Sequence, residues 1–195
     1  PFAAAHAKAP YFGEIAAMDV QLGRLAQAFD AFASRQGTPP AIVVTSHHGE
    51  GLGAHGELQH GILLYQSTRD VPLVVVGPGT AAAVEDEPVS IRRVFHTILD
   101  WAGIEQRYSL AGSATENVVL GEAMKPFLGY GWQPQIMAVE GRQKAILAGK
   151  TEVYDVVADP AISQTVEHRD HGNDGLSRRV AAIDAGLHHH ADRAG

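Results

Sequence analysis

Apolar residues recur at helical spacing at Ile15, Met18, Leu22, Leu25, Phe29 and Phe32, and Gly37 stands where the pattern stops. The spacing predicts an amphipathic helix over 10–36 with one apolar face turned to a core. After the Gly37-Thr38-Pro39-Pro40 breaker, Ala41-Ile42-Val43-Val44-Thr45 is short, apolar and rich in β-branched residues, and Val71 to Val76 repeats that texture. Runs of this kind predict buried parallel strands. A further helix is predicted over Val89 to Ala102, ended by Gly103, covering a sheet face in the βαβ manner.

Beyond about Gly112 the pattern changes. Gln135 to Glu140, Gln143 to Leu147 and Glu152 to Val156 are short candidate strands separated by Gly141-Arg142 and Gly149-Lys150 turns, which predicts an antiparallel meander. Leu176 to His190 again has helical spacing. The fold class is therefore α/β, with residues 1–111 forming part of a mostly parallel core and 112–195 a small antiparallel subdomain with a terminal helix.

Composition narrows the function classes. The 195 residues are 45% hydrophobic and 19% charged, ordinary for a globular chain. A net charge of -7 with 15 Lys and Arg leaves no basic stripe, which argues against nucleic acid as a partner. No apolar run approaches the length of a membrane span. Without cysteine there is no disulfide framework, thiolate metal site or cysteine nucleophile.

The densest chemistry follows the first predicted strand. Four of the 11 histidines, His47, His48, His55 and His60, fall within Ser46 to Gly61 among four glycines besides Gly61. Imidazoles bind borderline metals and donate to anionic oxygens, and glycines let backbone approach a ligand closely. The carboxyl end of a strand is where open α/β sheets bind ligands. The segment points to a metal or anion site built on His48 and His60, with His55 and Glu57 read as solvated loop positions. A free-standing zinc module of all four histidines is a second reading, although no His-Glu-x-x-His helix supports it.

The order of motifs is informative as a set. Tyr11-Phe12-Gly13-Glu14-Ile15-Ala16-Ala17-Met18-Asp19, then Val43-Val44-Thr45-Ser46-His47-His48-Gly49-Glu50, His60-Gly61-Ile62-Leu63-Leu64-Tyr65 and Val71-Pro72-Leu73-Val74-Val75-Val76-Gly77-Pro78-Gly79 resemble the second half of sulfatases, of the alkaline phosphatase superfamily. Thr97 to Ile104, Gly141-Arg142-Gln143-Lys144 and Val153 to Pro160 continue the resemblance, which spans about Tyr11 to Pro160. It implies the C-terminal part of an alkaline-phosphatase-like sandwich, a mostly parallel sheet with flanking helices, plus a small antiparallel C-terminal sheet.

By the same resemblance, His48 fills a metal-binding position and His60 the position that contacts the sulfate or phosphate, so His60 is the candidate catalytic and substrate-binding residue. His47 stands where the family has Asp. The cofactor implied is a divalent metal, calcium or magnesium, with zinc the alternative because an imidazole replaces a hard carboxylate. The family nucleophile, a Cys or Ser within Cys/Ser-x-Pro-x-Arg, has no counterpart between Pro1 and Gly195. This chain alone is thus expected to lack catalysis, and its partner is a missing N-terminal half, or another chain, that completes the sheet. Expected substrates are small sulfate esters, or phosphate and phosphonate esters, with a noncatalytic sulfatase-like role as the alternative. The resemblance also implies an exported protein, periplasmic or extracellular.

Other residues carry weaker signals. Arg69, just before the second strand, is a candidate substrate contact, with a surface ion pair as the plain reading. His96 is expected to be packed within its helix, and Glu14 and Asp19 to be structural. Tyr130-Gly131-Trp132 either line a pocket or pack beneath the meander. His188-His189-His190 are expected to be solvated.

Overall fold

The computed structural model describes residues 10–110 and 118–159, so the expected helix over 176–190 and its histidines lie outside the described residues. The chain divides into two compact units, one reaching to Val43 and resuming over Val74–Ala81, the other holding Val44–Leu73 and the residues from Ala82 on.

In the first unit, helix α1 (Pro10–Gln36) runs over the predicted span. It stops because Gly37 takes φ 68°, a left-handed turn that glycine enters without a Cβ clash. The Thr38 N–H then reaches back 3.2 Å to the Ala33 carbonyl. The expected burial of its apolar face is not met among the described residues, since Phe12, Met18 and Phe32 are 60%, 58% and 54% exposed. Strands β1 (Ile42–Thr45) and β2 (Leu73–Val76) pair in a two-stranded sheet. The second is shorter than predicted, consistent with Pro72 having no N–H to give to a ladder. Its residues alternate in exposure instead of being buried on both sides.

In the second unit, a single helical turn α2 (Gln66–Arg69) leads toward β2, and α3 (Arg92–Trp101) follows. The end of α3 is a Schellman turn. Gly103, at φ 83°, donates to the Asp100 carbonyl at 2.9 Å, and Ile104 donates to that of Leu99 at 2.9 Å. Thr97, buried on this helix, receives the Leu110 N–H at 2.8 Å while its own hydroxyl donates to the Arg93 carbonyl at 2.8 Å. The Nδ1 of His96 meets the Gln106 side-chain oxygen at 2.8 Å, a packed histidine as expected.

Strands β3 (Val119–Ala123), β4 (Gln135–Glu140), β5 (Gln143–Ala148) and β6 (Lys150–Asp155) form an antiparallel meander in chain order, with α4 (Lys125–Tyr130) between the first two. Three of these strands were legible in the alternation of the sequence. The strand β3 was not, because Gly121-Glu122 interrupts its apolar run. Met137, Val139, Ile146 and Tyr154 share one face with Ala123 and pack with Leu64; Ile136, Ala138 and Ala145 form the other. Full burial of each large aliphatic side chain contributes roughly 1.5–3 kcal/mol, which makes this sheet the thermodynamic centre of the unit. Tyr130 and Trp132 face each other at 5.0 Å and are 54% and 59% exposed, so the expectation of packing beneath the meander is not met.

Candidate functional site

The chain leaving β1 enters the histidine segment through contacts that only glycine permits. Gly49 donates to the Thr68 carbonyl at 2.9 Å, with the Ser67 carbonyl lying where its side chain would begin. Gly51 donates to the Gln59 carbonyl at 2.7 Å, and a Cβ there would meet the backbone of Glu57 and Gln59. Gly53, at φ 92°, donates to the Glu57 carbonyl at 2.8 Å and opens a 3-10 turn over Ala54–Gly56. The segment is therefore a closed loop tied by its own backbone.

Glu57 corrects the sequence reading. Expected in solvent, it is 8% exposed, and its carboxylate accepts the backbone N–H groups of Ile62 at 2.8 Å and Leu63 at 3.1 Å. A buried carboxylate is tolerated when backbone donors satisfy it, and here they fix the chain just after His60. His55, with φ 53° outside the region favoured by side-chain-bearing residues, lies stacked on Tyr65 at 3.8 Å. Tyr65 and Tyr154 both donate to the same Glu152 oxygen, at 3.3 and 2.6 Å, tying this end of the loop to β6. Burial, reinforced by Glu152, pushes the Tyr154 phenol above its ordinary range.

The remaining three histidines meet. The rings of His47 and His48 stand edge to face at 4.0 Å, and those of His48 and His60 stack at 4.0 Å with planes 29° apart. His48 Nδ1 is 2.7 Å from the Gly49 carbonyl, and His60 Nδ1 is 3.2 Å from a Glu50 oxygen. Both contacts suit an Nδ1–H donor, which leaves Nε2 as the functional edge of each ring. The four-histidine zinc module is not formed, since His55 is engaged with Tyr65. Among the described residues no three His, Cys, Asp or Glu side chains converge on a metal position. Two imidazoles do not fit a complete site for calcium or magnesium, which need several oxygens, or for zinc, which needs four ligands.

Among the described residues Arg69 forms no surface ion pair, which was its plain reading. Its Nε is buried with no hydrogen-bond partner, and its guanidinium passes Gly121, where a Cβ would lie 2.7 Å from a guanidinium nitrogen. Burial lowers its pKa. Arg69 and His47 both line a cleft of about 620 Å³, shared with Gln66, Met137 and Arg142; His48 and His60 are not part of its lining. Beneath it, Lys144 is fully buried with its ammonium 2.8 Å from the Gln66 side-chain oxygen. Burial first, and then the neighbouring Arg69 charge, lower Lys144 to about 7, opposed by Asp70. Sequence reasoning passed over Lys144, although its parity with Ile146 in β5 places both on the inner face. It also passed over Lys125, which donates to the His60 carbonyl at 3.4 Å from 65 positions away.

With this geometry in view, the likeness to known proteins is specific. The family model described as Sulfatase matches residues 3–104, just over half of the 195. The chain is 30% identical over 118 residues to an arylsulfatase of Clostridium perfringens, covering 58% of this chain and 24% of that protein. To a choline-sulfatase of Rhizobium meliloti it is 29% identical over 161 residues, covering 77% and 31%. The chain thus spans less than a third of these relatives. The solved phosphonate monoester hydrolase of Agrobacterium radiobacter shares the fold at a TM-score of 0.63 and 21% identity, over 95% of this chain and 41% of that one. The expected alkaline-phosphatase-like α/β class, with its small antiparallel sheet, holds. The family model covers more than half of the chain, and the chain belongs to the sulfatase family.

Proposed function

We propose that this chain carries the metal- and anion-facing loop of a hydrolase that splits sulfuric esters, R–O–SO3, the nucleophile coming from a first half of the sulfatase domain. The supporting observation is His60 oriented by Glu50 and stacked on His48 at the end of a strand, in a chain of this family. His60 keeps Nε2 for the leaving oxygen or the anion, while Nδ1–H is held by Glu50. His47 and His48 are assigned to a divalent cation completed by ligands from elsewhere; when bound, such an ion polarises the ester and stabilises developing charge. Arg69, sharing a cleft with His47, is assigned to an anionic group entering that cleft. The uncovered apolar face of α1 suits the surface on which the first half would rest.

The test is hydrolysis of 4-nitrophenyl sulfate by the full-length protein with divalent metal supplied. His60→Ala should lower kcat/KM by about a hundredfold or more. A phosphonate ester assayed alongside separates the related activity of the same superfamily. Failure on both esters favours a second reading, a noncatalytic sulfatase-fold protein that binds ligands or partners. What favours that reading is His47, edge to face with His48, an imidazole where the resemblance implies an Asp.

A further inference from the structure

The charge around His60 does not close on itself. Protonated, His60 is neutralised by Glu50 at 3.2 Å; neutral, it leaves the pair negative. Neither state presents a net positive charge to a sulfate, and nearby negative charge opposes an anion. Lys125, the first residue of α4, approaches His60 from a distant part of the chain, with its ammonium 3.4 Å from the His60 backbone carbonyl. Its stem crosses Gly61, where a Cβ would come within 3.1 Å of the Lys125 Cδ and 3.8 Å of its Nζ. Among the described residues no carboxylate pairs with Lys125, whose charge stays exposed beside His60.

We propose that Lys125 is the cationic side chain of the anion subsite beside His60, so that His60 supplies direction through Nε2 and Lys125 adds the side-chain positive charge that the His60–Glu50 pair lacks. This rests on His60 being the anion-contacting residue. Gly61 serves the arrangement by leaving room for the lysine stem. The ligand class is a tetrahedral oxyanion, the sulfuryl end of the substrate or free sulfate.

The experiment titrates the intact chain with inorganic sulfate and follows the His60 and His48 ring signals by NMR, with chloride at matched ionic strength as the control. Saturable movement of the His60 signal is expected. Lys125→Gln keeps a donor for the His60 carbonyl but loses the charge, and it should weaken sulfate binding roughly fivefold or more, while Lys125→Arg stays within about twofold. Unchanged His48 signals in the free variants report an intact loop. Equal sulfate affinity in wild type and Lys125→Gln, with the sulfate response of the His48 signal lost in His60→Gln, would overturn the role of Lys125 and leave the reading of His60 standing. No saturable response at His60 in the wild-type chain would overturn both.

Discussion

Lys144 donates from its ammonium to the side-chain oxygen of Gln66 across 2.8 Å, so a fully buried cation meets a neutral amide in place of a carboxylate. That pairing satisfies a hydrogen bond without neutralising a charge, and burial, followed by the neighbouring Arg69 charge, lowers the Lys144 pKa to about 7.

Stability should therefore depend on pH in a particular direction. An unfolded lysine titrates near 10.4, so between about pH 7 and that value the unfolded chain holds a proton that the folded chain lacks. Stability rises with pH through that window, by an amount on the order of a few kcal/mol. Urea unfolding across the window should show the rise in wild type, its loss in Lys144→Met, and a shallower rise in Gln66→Glu, where a carboxylate holds the charge. A wild-type slope no different from that of Lys144→Met would refute the buried-cation account.

Glu57 should behave as part of the framework despite lying on a loop. Its replacement by Ala strands the Ile62 and Leu63 N–H groups, at a cost of roughly 2–4 kcal/mol in denaturant unfolding. Glu57→Gln, which keeps one acceptor oxygen, should fall between. A loss below about 0.5 kcal/mol in Glu57→Ala would mean water replaces the carboxylate at no cost.

The loop glycines should rank by close approach before backbone angle. Gly53 occupies φ 92° with nothing near its missing Cβ, so Gly53→Ala should cost only about 1 kcal/mol. Gly49→Ala forces a methyl onto the Ser67 carbonyl and should cost more, roughly 2 kcal/mol or above. Thermal unfolding of the two variants measures the order; the reverse ranking contradicts the loop geometry.

His47→Asp supplies the hard oxygen that an imidazole lacks. In the full-length protein it should tighten calcium or magnesium binding by about tenfold or more in calorimetric titration. Unchanged affinity would remove His47 from the proposed metal position.

Much of this was legible along the chain. Helical spacing fixed α1 to within its observed ends, and alternation located β4, β5 and β6, because both signals depend on neighbours a few residues apart. The density of histidine and glycine after β1 marked the loop for the same local reason. Spacing could not tell His55, taken up by Tyr65, from His48 and His60, which stack; that sorting depends on how the loop closes on itself.

What the sequence determined alone was therefore most of the elements, the family likeness and the segment that holds the candidate site. Tertiary structure decided the charges around it. Glu57 became a buried anchor, Arg69 was left with a buried Nε and no ion pair among the described residues, and Lys125 and Lys144 arrived beside partners 65 and 78 positions away. Those outcomes depend on desolvation and on distances between remote segments, which periodicity does not encode.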